Sequence, residues 1–172
     1  MKHLNQSSFR LFCSTIISLI VFNANGQDTK ESNPMAELAE VHHLWARETF
    51  ALAKTGAAYM MLSNTSSKTP IYLESVSVDD SIAATVELHT TLMQEDMMTM
   101  QQLEEPIEIL SQQTVEFKPG GKHIMFMGLE KPFLAGEKFV ISLHFTDGSY
   151  VQKEVIVKDG RGGMDASKHN HH

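Results

Sequence analysis

The stretch KPGGKHIMFMGL, residues 118–129, sets one imidazole and two thioethers at every second position directly after a Pro-Gly-Gly turn. Side chains alternate between the two faces of an extended strand, so His123, Met125 and Met127 share one side and Ile124 and Phe126 the other. An apolar core accounts for Ile124 and Phe126. It gives no reason for the row opposite them. A second histidine and methionine stand upstream, in ELHTTLMQEDMMTMQQL. Folded as a hairpin with a two-residue connection at Gln94-Glu95, this segment puts His89 directly opposite Met100, close enough for both to touch one ion, and Met98 joins the same face. Thioether sulfur is soft and favours Cu(I), and imidazole also accepts copper. Zinc more usually recruits thiolates, imidazoles or carboxylates, and calcium and magnesium require oxygen ligands. The set His89, Met100, His123 and Met125 therefore points to Cu(I). Met127 lies about 13 Å along the strand from His123, at roughly 3.3 Å per residue, too far for the two to share an ion.

Cys13 is the only cysteine, and it falls in a stretch expected to be removed. Lys2 and Arg10 open the chain, LFCSTIISLIVF is an apolar run over residues 11–22, and NANG supplies small residues before Gln27. This is the layout of a secretory signal peptide over residues 1–26, with cleavage after Gly26. The run is shorter than the roughly 20 apolar residues that span a bilayer. Cys13 sits inside the run rather than after it, which argues against a lipid anchor. The mature chain would then be exported and soluble, with no membrane span, no disulfide, no thiol nucleophile and no thiolate for a blue-copper electron-transfer centre. Losing Lys2 and Arg10 takes the net charge from −7 to −9. So acidic a chain is a poor partner for nucleic acid or anionic lipid. The remaining residues, about 146, suffice for one domain with a proper core.

The positioning elements read as strands. Residues 27–39 are expected to form a flexible lead-in, 40–158 a β-sandwich domain, and 159–172 a mobile Gly- and His-rich tail. LAEVHHLWARETF leans towards a strand, GAAYMMLSN is a short buried one, and IYLESVSV needs an irregularity midway to keep Ile71, Leu73, Val76 and Val78 on one face. KFVISLHFTDGSYVQKEVIVK is a hairpin turning at Asp147-Gly148, and LEEPIEIL is loop-like. Short strands with frequent turns predict an all-β, antiparallel sandwich or barrel.

Other chemistry-bearing residues have plainer readings. Met60, Met61, Met93 and Met97 are expected to fill the core, as methionines on strands commonly do. His144 alternates with Ser142 and Thr146 on a polar face and reads as structural, and His42 and His43 as surface or supporting groups. In the tail, Met164, His169, His171 and His172 could form a second metal site, better suited to Cu(II) through imidazole nitrogen.

These residues resemble the signature of the PCu(A)C periplasmic copper chaperones, a spaced His, Met and His-x-Met. Ten residues separate His89 from Met100, as in that signature; twenty-two separate Met100 from His123, one more than in the signature. The extra residue is expected in LEEPIEIL. WAR, KTGAAYMML, VELH and KPGGKHIMFMGL are also similar to family blocks, so the resemblance covers residues 40–158; Lys122 departs from it, since family members often carry an aromatic residue there. The resemblance implies a cupredoxin-like, antiparallel Greek-key β-sandwich that binds Cu(I) near its surface through His89, Met100, His123 and Met125. It also implies a periplasmic, non-enzymatic role, carrying copper towards the binuclear copper centre of cytochrome c oxidase alongside Sco-type thiol proteins. Copper sequestration without a delivery partner is the alternative in the same chemistry. A hydrolase is disfavoured, because no Ser-His-Asp or paired-carboxylate constellation stands out.

Overall fold

The computed structural model describes residues 34–94 and 97–160. The expected signal peptide, most of the lead-in, and the tail residues Met164, His169, His171 and His172 lie outside the described residues. A short helix α1 (Met35–Leu38) precedes ten strands: β1 (Ala39–Arg47), β2 (Thr55–Asn64), β3 (Ile71–Val78), β4 (Ala83–Gln94), β5 (Met97–Gln102), β6 (Ile107–Ile109), β7 (Thr114–Phe117), β8 (His123–Leu129), β9 (Lys138–Phe145) and β10 (Tyr150–Lys158). The all-β expectation holds. One hydrogen-bonded path runs β5-β4-β8-β2-β1-β10-β9-β3-β6, with β7 also on β2. The turn at residues 79–82 carries the chain from β3, near one end of that path, to β4, near the other, so the sheet folds over on itself as a sandwich.

Pairing is antiparallel except between β1 and β10, which run parallel with Trp45 opposite Ile156. The antiparallel expectation holds for every other strand pair. The parallel pair places the domain's first strand between β2 and its last strand. The predicted irregularity in IYLESVSV is a register shift between Leu73 and Ser75, which keeps Ile71, Leu73 and Val76 buried. A second bulge, between His42 and Trp45, holds His43 at φ 51° and lets neighbouring Trp45 and Ala46 both be buried.

Three local expectations change. LEEPIEIL contains β6, whose Ile107 and Ile109 are buried against the core while its backbone pairs with β3. The β9–β10 connection has three residues, 146–148, rather than two. Phe145 N–H donates to Ser149 O at 2.9 Å, and Gly148, at φ 81°, takes the left-handed position such a loop needs. Residues 35–38 are helical rather than a flexible lead-in, because that same loop caps them. Asp147 Oδ2 accepts from Met35 N–H at 2.7 Å and Ser149 Oγ from Ala36 N–H at 3.0 Å. Partial burial works against ionisation of Asp147, but the bonds from Met35 and Ser149 prevail and hold its carboxyl below the ordinary range.

The core side of β8 explains how the opposite side stays rigid. Ile124 and Phe126 are fully buried, and Phe126 meets Phe133 and Phe139 edge-on at ring-centroid distances of 5.4 and 5.6 Å. Gly56 on β2 makes room for this cluster, since a Cβ there would stand 2.7 Å from Phe133. Gly128 in β8 has φ 66°, and a Cβ there would lie 2.8 Å from the Ala84 side chain. Gly128→Ala is expected to destabilise the domain by about 1–3 kcal/mol, through backbone strain and overpacking together. A fall in the urea midpoint at unchanged slope measures it.

Candidate metal centre

Sequence places His123 at the first residue of β8, straight after the turn that joins β7 to β8. Gly120 takes φ 77° in that turn, and Gly121 N–H donates to Lys118 O at 3.0 Å. The Gly121 carbonyl then accepts twice, from Thr91 N–H at 3.2 Å and from His123 Nδ1 at 3.0 Å. A carbonyl can only accept, so His123 carries its proton on Nδ1 and keeps the Nε2 lone pair free. The backbone of the turn thus sets the tautomer of a ring that is only 5% exposed.

His89 stands directly opposite His123 across the β4–β8 ladder, with ring centroids 5.7 Å apart. Its Nε2 lies 2.8 Å from Glu87 Oε2. With Nε2–H donating to that carboxylate, the lone pair falls on Nδ1. His89 Nδ1 is buried and is the one buried side-chain nitrogen or oxygen without a hydrogen-bond partner among the described residues. Such an atom carries a desolvation cost that a bound ion would relieve. Each imidazole therefore has one nitrogen tied and one free, as metal-binding histidines typically do.

The thioethers come from two strands. Met125 is two residues along β8 from His123, half-buried, and paired with Glu87 on one side and Ala57 on the other. Met100 sits on the edge strand β5. The expected register there is corrected: Gln94 pairs with Met97, so the connection is residues 95–96, His89 faces Gln102, and Met100 faces Thr91 one rung away. A turn placed one residue later moves the register by two, which preserves parity. Met100 consequently stays on the His89 face as a diagonal neighbour, within reach of a long side chain.

A surface cleft of about 530 Å³ is lined by Met98, Met100, His123 and Met125, with Phe50 and Tyr59 also in its wall. His89, on the neighbouring strand, does not itself line the cleft. Burial pushes the Tyr59 phenol up, against a smaller pull from Arg47, and the ring packs on Trp45 with centroids 4.8 Å apart. No group of three or more His, Cys, Asp or Glu suited to an ion occurs among the described residues. A centre at this cleft would therefore be half thioether, a donor set that fits a soft monovalent ion.

Other expectations resolve as follows. Met60 is core, but Met93 and Met97 are exposed on the β4–β5 hairpin, which corrects their reading as core fillers. A hairpin at the end of a sheet has no layer to cover it, whatever its composition. His144 bonds Ser77 Oγ through Nε2 at 2.8 Å, consistent with a structural role, while His42 and His43 are exposed and do not line the cleft. Met127 pairs opposite Thr55 and Thr85 and also does not line it. Glu87 was not singled out from the sequence. Its signal was present, since residues two apart on a strand share a face.

The family described as "Putative lipoprotein LpqE-like" matches residues 39–157. This chain belongs to the LpqE-like family. The LpqE-like chain is 31% identical to the "Putative lipoprotein Lxx21020" of Leifsonia xyli subsp. xyli over 165 residues, spanning 92% of this chain and 96% of that one. These names contrast with the argument against a lipid anchor drawn from Cys13, which lies outside the described residues. Among solved structures, the LpqE-like chain resembles the Cu(I) form of DR1885 from Deinococcus radiodurans, at 26% identity and TM-score 0.56, with 80% of this chain and 87% of that chain covered. It also resembles the copper-bound PCuAC domain from PmoF2, at 20% identity and TM-score 0.58, with 71% and 93% covered. The LpqE-like domain thus has the cupredoxin-like β fold of PCuAC domains.

Proposed function

We propose that this LpqE-like protein is an exported Cu(I) carrier that holds one ion between His89 Nδ1, His123 Nε2 and the sulfurs of Met100 and Met125, in the domain spanning residues 40–158. The orphaned His89 Nδ1, opposite a histidine whose own tautomer is fixed, carries this reading. The fold shared with a Cu(I)-bound protein supports it, and the lipoprotein names of the family and of its Leifsonia relative support export; in this proposal cleavage falls near Gly26 and the protein works in the periplasm. Cargo is carried rather than transformed, so the protein is not an enzyme. The tail residues Met164, His169, His171 and His172 add an accessory site for Cu(II).

Release follows from the ligand chemistry. Thioethers hold Cu(I) without thiolates, so a thiolate acceptor entering the open cleft takes the ion by stepwise ligand exchange. A Sco-type thiol protein or the copper-centre domain of cytochrome c oxidase has the acceptor chemistry required. Anaerobic mixing of the copper-loaded protein with such an acceptor, followed by separation and metal analysis, should find the copper on the acceptor. Copper retained by the donor would replace delivery with sequestration. Glu87→Ala is expected to weaken Cu(I) binding by about 10–100-fold, because it frees the His89 ring to rotate and to change tautomer. Competition against a chromophoric Cu(I) chelator checks this, with an unchanged melting temperature separating ring orientation from loss of fold.

A further inference from the structure

The β4–β5 hairpin spends four methionines where packing asks for none. Met93, Met97, Met98 and Met100 are 69, 66, 64 and 64% exposed, on a pair of strands whose edge member β5 is exposed along its whole length. Thioethers this exposed neither fill a gap nor gain much by burial, and an edge strand is ordinarily protected by charge or proline. The register sorts them by face. Met93 pairs directly with Met98, and on the next rung Thr91 pairs with Met100. One rung further His89 stands between Gln102 and His123. Met93, Met98, Met100, His89 and His123 therefore lie on one side of the sheet in an unbroken sequence of rungs, while Met97 lies on the other side. Met98 and Met100 both line the cleft, and the Met98 methyl would be 3.8 Å from a Cβ at Gly120, in the turn that presents His123.

We propose that Met93 and Met98 form a second, weaker Cu(I) site at the hairpin tip, a landing site from which the ion passes by way of Met100 to the histidine pair. Opposed Cβ atoms on neighbouring strands are about 4.5–5.5 Å apart, and the flexible methionine side chain lets two sulfurs close on one soft ion from there. Two thioethers bind less firmly than a mixed imidazole and thioether set, so the ion moves inward. Each transfer is a ligand exchange at constant oxidation state, one Cu–S bond forming at Met100 as another breaks at Met98. The direction of transfer rests on the proposed function. The tip site itself does not.

Full-length protein labelled with ¹³C at the methionine methyls, titrated anaerobically with Cu(I), reads the two sites separately. The first equivalent should shift the Met100 and Met125 methyls, and excess Cu(I) should then shift those of Met93 and Met98 together. Met93→Leu should abolish the second event, leave first-equivalent affinity unchanged, and slow loading from a weak Cu(I) donor about tenfold. Met93 and Met98 methyls unmoved by excess Cu(I) would overturn the tip site, and an unaltered loading rate in Met93→Leu would overturn its role in entry. Failure of the proposed function looks different: the Met100 and Met125 methyls would stay unshifted whatever the tip does.

Discussion

His123→Ala is expected to reduce Cu(I) affinity by more than about 100-fold, beyond the 10–100-fold typical of losing a group that merely orients a ligand. The substitution removes a donor nitrogen and abandons the bond from Nδ1 to the Gly121 carbonyl that aims it. His123 is buried, so some loss of stability accompanies the change, and the affinity must be measured where the variant remains folded. Met100→Leu supplies the control. Its side chain is exposed, so it should weaken binding with no shift in the urea midpoint. Competition titrations of wild type and both variants against a Cu(I) chelator decide the matter. Undiminished affinity in both would make the row of His and Met a structural feature only.

Phe126→Ala is expected to cost about 3–5 kcal/mol of stability, the usual penalty for emptying a fully buried aromatic site. Phe126 is not accessible to solvent and touches two further aromatic rings, Phe133 and Phe139, which themselves stack at 4.9 Å. Three rings packed against one another, from β8, the loop after it and β9, leave little scope for collapse into the void. Against a typical total of 5–15 kcal/mol, the loss is large. Urea unfolding followed by Trp45 fluorescence gives the midpoint, and a change under about 1 kcal/mol would mean that the core repacks around the gap.

Much of this architecture was legible because alternation is a local property. The two faces of β8, the break in parity within β3 and the turn at Asp147-Gly148 could each be read from a few neighbouring residues. Histidine and methionine stood out because no core needs them in that order. What escaped depended on distant neighbours. The helix at residues 35–38 exists because Asp147 and Ser149 reach its open N–H groups from the far end of the domain. Two glutamates and a proline disguised β6, which is held by its pairing with β3. Hairpin register could not be settled from a charged turn, although its parity could, and parity is what put Met100 on the same face as His89. Whether Met93 and Met97 were covered depended on whether another layer lay over them, which composition does not state. Glu87 was passed over as an ordinary charge on a strand.

The parallel pairing of β1 with β10 also governs how the molecule comes into being. β1 needs a neighbour on each side, and one of them is the last strand to be made. Bringing together residues from opposite ends of the domain carries the loop-closure entropy that makes such topologies slow to fold. Until β10 arrives, β1 and β9 both present open hydrogen-bonding edges, the condition under which strands pair with the wrong chain. A version cut short before Tyr150 would therefore lose more than one strand: it would be left with a seam that cannot close, prone to aggregate. The same delay leaves the seam beside β1 open until residues 150–158 have been made.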